Sequence, residues 1–158
     1  MCEVTSYSVT LVSQAGVFDS YQVFGFSENG TLVGTGSNSL ASTLNENGIE
    51  PLLPYSSFTT EIGSWKYTKD SCGDDSKTHW KATLLDFNGT PVVSGPPTGQ
   101  TGKVTIRNGR FSDDHSKIKG TLTFTLYNNP GEALADSDNV AGLFPAATFK
   151  FKGRRIEA

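Results

Sequence analysis

Glu61 stands in a segment where strict alternation puts Glu61, Gly63, Trp65 and Tyr67 on one face and Thr60, Ile62, Ser64 and Lys66 on the other. A carboxyl group that shares an interior face with aromatic rings loses hydration. Its pKa climbs toward neutrality, where it gives and takes a proton readily. Glu61 is therefore the leading acid–base candidate, and the Tyr67 phenol is a second group able to polarise a carbonyl. If the face were wet, or if a lysine paired with the carboxylate, Glu61 would be an ordinary surface residue. On the next segment Trp80, Ala82 and Leu84 share a face with Asp86, and His79, Lys81 and Thr83 share the other with Leu85 and Phe87. The pattern leaves the inward side open, and Trp80 is the better interior candidate, offering a ligand an indole N–H and a broad apolar wall. Tyr21, Phe24 and Phe26 add aromatic surface, with Tyr21 opposite in parity to the two phenylalanines. Trp65, Trp80, Tyr21 and Phe24 are the candidate ligand-binding residues, although parity forbids all of these aromatics from lining one cavity.

The rest of the sequence narrows the chemistry. Cys2 and Cys72 are too few for a disulfide framework and lack metal-ligand spacing, and His79 and His115 sit in no HxH or HExxH pattern. Asp70, Asp74 and Asp75 lack the ligand spacing and closing Glu of a calcium loop. No GxGxxG, GxxxxGK[ST] or GxSxG occurs. The expectation is a protein that works without metal or cofactor. With 13 Lys+Arg against 16 Asp+Glu the formal charge is −3, and the four cations Lys150, Lys152, Arg154 and Arg155 form a small cluster. That balance argues against a nucleic-acid partner. No run approaches the roughly 18 apolar residues of a membrane-spanning helix, so no membrane partner is expected. Met1–Ser6 shows no basic region before an apolar core, which points to a cytoplasmic or already processed chain.

The elements that must position these residues read as strands. The 158 residues make one domain, 1–158, with 18 Thr, 17 Ser and 10 Phe against a single Met, a composition that favours sheet over helix. Strands are expected near 4–12, 20–28, 31–41, 57–69, 78–87, 90–95, 103–108, 117–127 and 146–153. Asn29-Gly30, Asn88-Gly89 and Asn108-Gly109 each predict a two-residue hairpin turn with positive φ at both residues. Ile118, Leu122, Phe124 and Leu126 alternate with Lys119, Thr121, Thr123 and Thr125, giving one dry and one wet face. The fold expected is all-β, an eight- to nine-stranded antiparallel barrel with an apolar lumen, with a β-sandwich as the alternative. Two long connections, 42–56 and 128–145, carry apolar residues suited to capping an open barrel end, with a short helix at 132–135 as the other reading.

The stretch Ala15-Gly16-Val17-Phe18-Asp19, the strand to Glu28, the turn Asn29-Gly30 and Leu32-Val33-Gly34-Thr35-Gly36-Ser37 resemble the early hairpin of allene oxide cyclase-like and dirigent-like barrels. Lys117-Ile118-Lys119-Gly120-Thr121-Leu122 and Phe149-Lys150-Phe151-Lys152-Gly153 are similar to their later strands. The bacterial cyclases that close spirotetronate rings on this type of barrel show a like cadence. The resemblance covers about a third of the chain and carries no catalytic motif. It implies an eight-stranded calycin-type barrel, often oligomeric, that folds a reactive hydrophobic substrate into a productive shape. Gly63-Ser64-Trp65 is also similar to the GxW of lipocalins, though it lies some sixty residues in, where lipocalins carry it near the first strand.

Function is thus expected to be that of a cofactor-independent cyclase or isomerase acting on a small hydrophobic molecule, with a homo-oligomer possible. Holding a near-attack shape lowers the barrier without added chemistry. The alternatives are a barrel that binds a hydrophobic ligand without changing it, a carbohydrate-binding β-sandwich with Trp65, Tyr67 or Trp80 exposed, and a structural or assembly protein.

Overall fold

A computed structural model describes residues 4–13, 19–36, 57–68, 78–89, 99–136, 138 and 146–157. Nine strands follow one another: β1 (Val4–Ser13), β2 (Asp19–Ser27), β3 (Thr31–Gly36), β4 (Ser57–Phe58), β5 (Glu61–Tyr67), β6 (His79–Gly89), β7 (Gly99–Phe111), β8 (Lys117–Tyr127) and β9 (Ala146–Arg155). A short helix, α1 (Pro130–Leu134), precedes the last strand. All pairings are antiparallel, β3 joining β5 and β4 joining β6, β9 returns to β1, and the β6–β7 pairing closes the sheet into an eight-stranded up-and-down barrel. β4 and β5 together make one wall element along β6, interrupted at Thr59-Thr60. There Thr59 N donates to Phe87 O and Phe87 N donates to Thr59 Oγ1. The barrel expectation holds, and the sandwich is set aside.

Alternation fills the interior. Tyr7, Val9, Leu11, Phe24, Phe26, Leu32, Trp80, Leu84, Val104, Ile106, Ile118, Leu122 and Phe151 all point inward and are buried. At one end the rings interlock, with Phe26 lying edge-on to Tyr7 at 5.6 Å, Trp65 at 5.2 Å and Trp80 at 4.9 Å. Such contacts contribute about 0.5–1.5 kcal/mol each beyond their buried area. The β2–β3 and β7–β8 turns lie at this aromatic end. From the opposite end the chain continues into 14–18, 37–56, 90–98 and 139–145, outside the described residues.

Of the three Asn-Gly turns one stands, in altered form. Glu28-Asn29-Gly30 makes a three-residue loop in which Gly30 alone has positive φ, at 87°, and Asn29 Oδ1 accepts from Thr31 N at 2.9 Å. Asn88-Gly89 does not turn. β6 runs through it, with Asn88 opposite Gln100 and Gly89 opposite Gly99, and the expected strand 90–95 lies outside the described residues. Cross-strand partners on β7 outweigh the local turn preference. Asn108-Gly109 lies inside β7, which runs longer than the predicted 103–108, and forms a bulge between Ile106 and Arg110. The amide that would have served a turn repairs the ladder, Asn108 Oδ1 accepting from Thr121 N at 2.9 Å. Gly109 lets the Trp80 ring lie against the backbone, since a Cβ there would collide with the indole. The β7–β8 reversal comes at Ser112–Ser116, with His115 at φ 54° and its ring stacked on Phe111 at 5.0 Å.

Within the long connection 128–145 the short helix is the better description. Asn129 caps it, accepting from Glu132 N at 3.0 Å, and Pro130 occupies its first turn. It covers the side of β7 and β8, not a barrel end: Ala133 is fully buried, and Lys103 Nζ donates to Ala133 O at 2.6 Å and pairs with Asp136 at 2.7 Å. The 42–56 connection lies outside the described residues.

Because Phe26 packs against the rings of Tyr7, Phe24, Trp65, Trp80 and Phe111, Phe26→Ala is expected to destabilise the barrel by about 3–5 kcal/mol. Urea unfolding followed by tryptophan fluorescence measures this, and an unchanged midpoint would show that the ring cluster does not hold that end.

Candidate functional site

Inward positions near the other end carry polar groups. Glu61, at the start of β5, is 7% exposed, and Asp86, on β6, is 3% exposed. The register that pairs Ile62 with Leu85 and Gly63 with Leu84 sets Glu61 against Asp86 one step further on. Directly opposed side chains in a sheet have Cβ atoms about 4.5–5.5 Å apart. Gln22 of β2 completes the group, its Nε2 donating to Glu61 Oε1 at 3.2 Å. Glycines make the room: a Cβ on Gly34 would stand 2.6 Å from Glu61 Oε2, and one on Gly102 would strike Asp86 Oδ1.

Two like charges cannot share so dry a space cheaply. Burial raises the Glu61 pKa from 4.5 to about 7, the Asp86 charge adding to the rise and the Gln22 hydrogen bond opposing it. Burial raises Asp86 from 3.8 to about 6, with the Gly102 main-chain N–H holding it lower. Burial first, and the Asp86 charge second, keep the proton on Glu61. Glu61 Oε2, Asp86 Oδ1 and Gln22 Oε1 find no hydrogen-bond partner among the described residues. Buried acceptors in that state are costly. The arrangement holds one proton donor and one proton acceptor side by side in an apolar interior.

The sequence candidates divide between the two ends. Glu61 faces inward with Trp65 on β5, as alternation requires, and Phe24 lies beside it, its Cε1 3.3 Å from the Cβ position of Gly34 that also approaches Glu61. Tyr67 is six residues further along, roughly 20 Å at 3.3 Å per residue, and 40% exposed at the aromatic rim. It does not share a site with Glu61. Trp65 and Trp80 belong to the aromatic packing; Trp65 Nε1 donates to Ser27 O at 3.0 Å, while Trp80 Nε1 is buried without a partner among the described residues. Tyr21 is turned outward, 63% exposed, and lines no interior. Asp86 and Gln22 were not among the site residues expected. The signal for Asp86 was present, since it shares a parity with Trp80, Ala82 and Leu84; Gln22 likewise shares that of Phe24 and Phe26. Among the described residues no group of three or more His, Cys, Asp or Glu side chains is placed to hold a metal, and no helix is long and apolar enough to cross a membrane. Cys2, Cys72, Asp70, Asp74 and Asp75 lie outside the described residues.

Fold and site together define an up-and-down β-barrel with a carboxyl pair in its interior. No protein-family model, no curated protein and no solved structure matches the chain.

Both carboxyls bind protons more tightly folded than unfolded, so their contribution to stability is complete below the unfolded values of 4.5 and 3.8 and is lost as pH rises through about 6 and about 7. For Glu61 alone the loss is on the order of 3 kcal/mol. The melting temperature is expected to fall between about pH 5 and about pH 8, and Glu61→Gln to flatten that fall. A wild-type curve that is level over this range would place the pair in water.

Proposed function

We propose that the protein is a cofactor-independent isomerase or cyclase that moves protons on a small hydrophobic substrate through Glu61 and Asp86. The observation that supports this is the carboxyl pair itself, one member protonated and one ionised near neutrality, inside an apolar barrel. In the reaction class that fits, the Asp86 carboxylate takes a proton from carbon adjacent to a carbonyl while Glu61 gives its proton to the carbonyl oxygen. The enol so formed is reprotonated at a different carbon, or its ring closes, and both carboxyls return to their starting states. No electrons enter or leave. The apolar wall excludes water and strengthens the hydrogen bond to the developing oxyanion. Phe24 and Phe124 flank the pair with aromatic surface, and the glycines leave the two carboxyls the space they occupy. A homo-oligomer agrees with the outer strip formed by Val33, Ile62 and Phe87, which are 37%, 59% and 56% exposed.

The test is a panel of hydrophobic enones and polyenes incubated with the protein in D2O, with deuterium incorporation read by mass spectrometry. Wild type is expected to exchange the acidic C–H of at least one compound, with a bell-shaped rate whose limbs lie near about 6 and about 7. Glu61→Gln and Asp86→Asn are each expected to slow exchange about 100-fold or more while the circular dichroism spectrum stays that of sheet. Saturable binding with no exchange by wild type would overturn catalysis and leave a carrier of hydrophobic ligands.

A further inference from the structure

A concave feature lies on the outside of the barrel, independent of the carboxyl pair. A groove of about 490 Å³ opens beside the Asn29-Gly30 turn and runs across β5, β6 and β7. Register sets its floor as a row of hydroxyls, Ser64 opposite Thr83 and Thr83 opposite Thr105. One step along, Lys66 stands directly opposite Lys81. Like charges facing across a sheet are destabilising, and no acid pairs with either lysine among the described residues. The β7 bulge adds a third cation. Its extra residue lets Arg107 and Asn108 oppose Lys81 together, and Arg107 joins the lining of the groove. Arg107 feels the charge of Asp136, but that carboxylate is already held by Lys103 at 2.7 Å. The groove therefore gathers two ammonium groups, a guanidinium and three hydroxyls around a concave space.

We propose that this groove binds a phosphate ester. A phosphate dianion offsets the Lys66–Lys81 repulsion, accepts the paired N–H groups of Arg107 and takes further hydrogen bonds from the threonine hydroxyls. The same chemistry is offered by a free phosphorylated metabolite and by a lipid headgroup.

The probes are inorganic pyrophosphate, titrated by calorimetry, and phosphatidylcholine vesicles with and without phosphatidic acid, read by sedimentation. The Lys66→Ala/Lys81→Ala variant is expected to weaken binding roughly 100-fold, and Arg107→Ala roughly tenfold. The comparison variant is Lys119→Ala/Lys152→Ala, which removes another directly opposed lysine pair, between β8 and β9 and outside the groove; it is expected to change binding less than about threefold. Saturable pyrophosphate binding lost in the groove variants assigns a soluble ligand. Sedimentation with phosphatidic acid vesicles alone, lost in the same variants, assigns a headgroup. Failure of both probes to bind wild type overturns the proposal, as does an equal loss in the comparison variant, which would mean that charge is spread over the wall with no site. Deuterium exchange by wild type is unaffected by any of these outcomes, so the two sites succeed or fail separately.

Discussion

Pairing of β6 with β7 joins the sheet to itself, and from that closure the burial of every inward side chain follows. An open sheet would leave Glu61 and Asp86 near an edge, where water would hold both ionised. In a closed wall, successive residues alternate strictly between interior and solvent, so an inward carboxylate has no way out except by protonation or by a partner. The chain provides a partial partner in Gln22, which satisfies one oxygen of Glu61, and space in Gly34 and Gly102. These accommodate the carboxyls without neutralising them. The proton that remains between them is a consequence of closure as much as of the two acidic side chains.

Much of this was legible in the sequence because a barrel strand obeys a period of two. The alternation in β5 and β6 grouped Glu61 with Trp65, and Trp80 with Asp86, on shared faces without fixing which face turns inward, and set Ile118, Leu122, Phe124 and Leu126 on one side of β8. The same alternation contained Asp86, but an acid at the end of an apolar face also reads as the point where the strand meets water. Only the neighbouring strand, which supplies Gly102 at the same level, shows that it stays inside. Pairing also decided the turns. Asn-Gly has a local preference worth little against a row of backbone hydrogen bonds, so Asn88 and Asn108 yielded to β7 and its partners, whereas Asn29 lies where β2 and β3 reverse. Tyr67 was legible in face but not in depth, because alternation says which side of a wall a residue takes and nothing about which end of the barrel a ligand enters.

Charge is sorted by the same geometry. The outward positions of β5 to β9 hold lysines, arginines, threonines and a few apolar residues and no acid, while the two carboxyls of these strands both point inward. A chain with formal charge −3 thus presents a cationic side wall, its other acids falling at the start of β2, in turns, in α1, in the connections and beside the termini. Net charge therefore misleads about partners: it averages over surfaces that an approaching ion meets one at a time. Lys103 shows what an outward cation does when covered, reaching Ala133 O and Asp136 beneath α1. Lys66 and Lys81, uncovered and opposed, have no such outlet.

Stability and chemistry occupy opposite ends of one barrel. At the aromatic end the rings of Tyr7, Phe26, Trp65, Trp80 and Phe111 interlock, the Tyr7 hydroxyl is tied to His115 O at 2.9 Å, and the β2–β3 and β7–β8 turns are short and internally hydrogen-bonded. At the carboxyl end the inward groups include acceptors without partners, and four connections leave the barrel there. A site with raised carboxyl pKa values subtracts from stability at neutral pH, so the packing that offsets it must come from elsewhere in the same cooperative unit. The eight-stranded ladder transmits that stability along each strand: β6 carries Trp80 at the aromatic end and Asp86 six residues away, and its unbroken register with β5 from Tyr67–Trp80 to Ile62–Leu85 leads on to the level of Asp86.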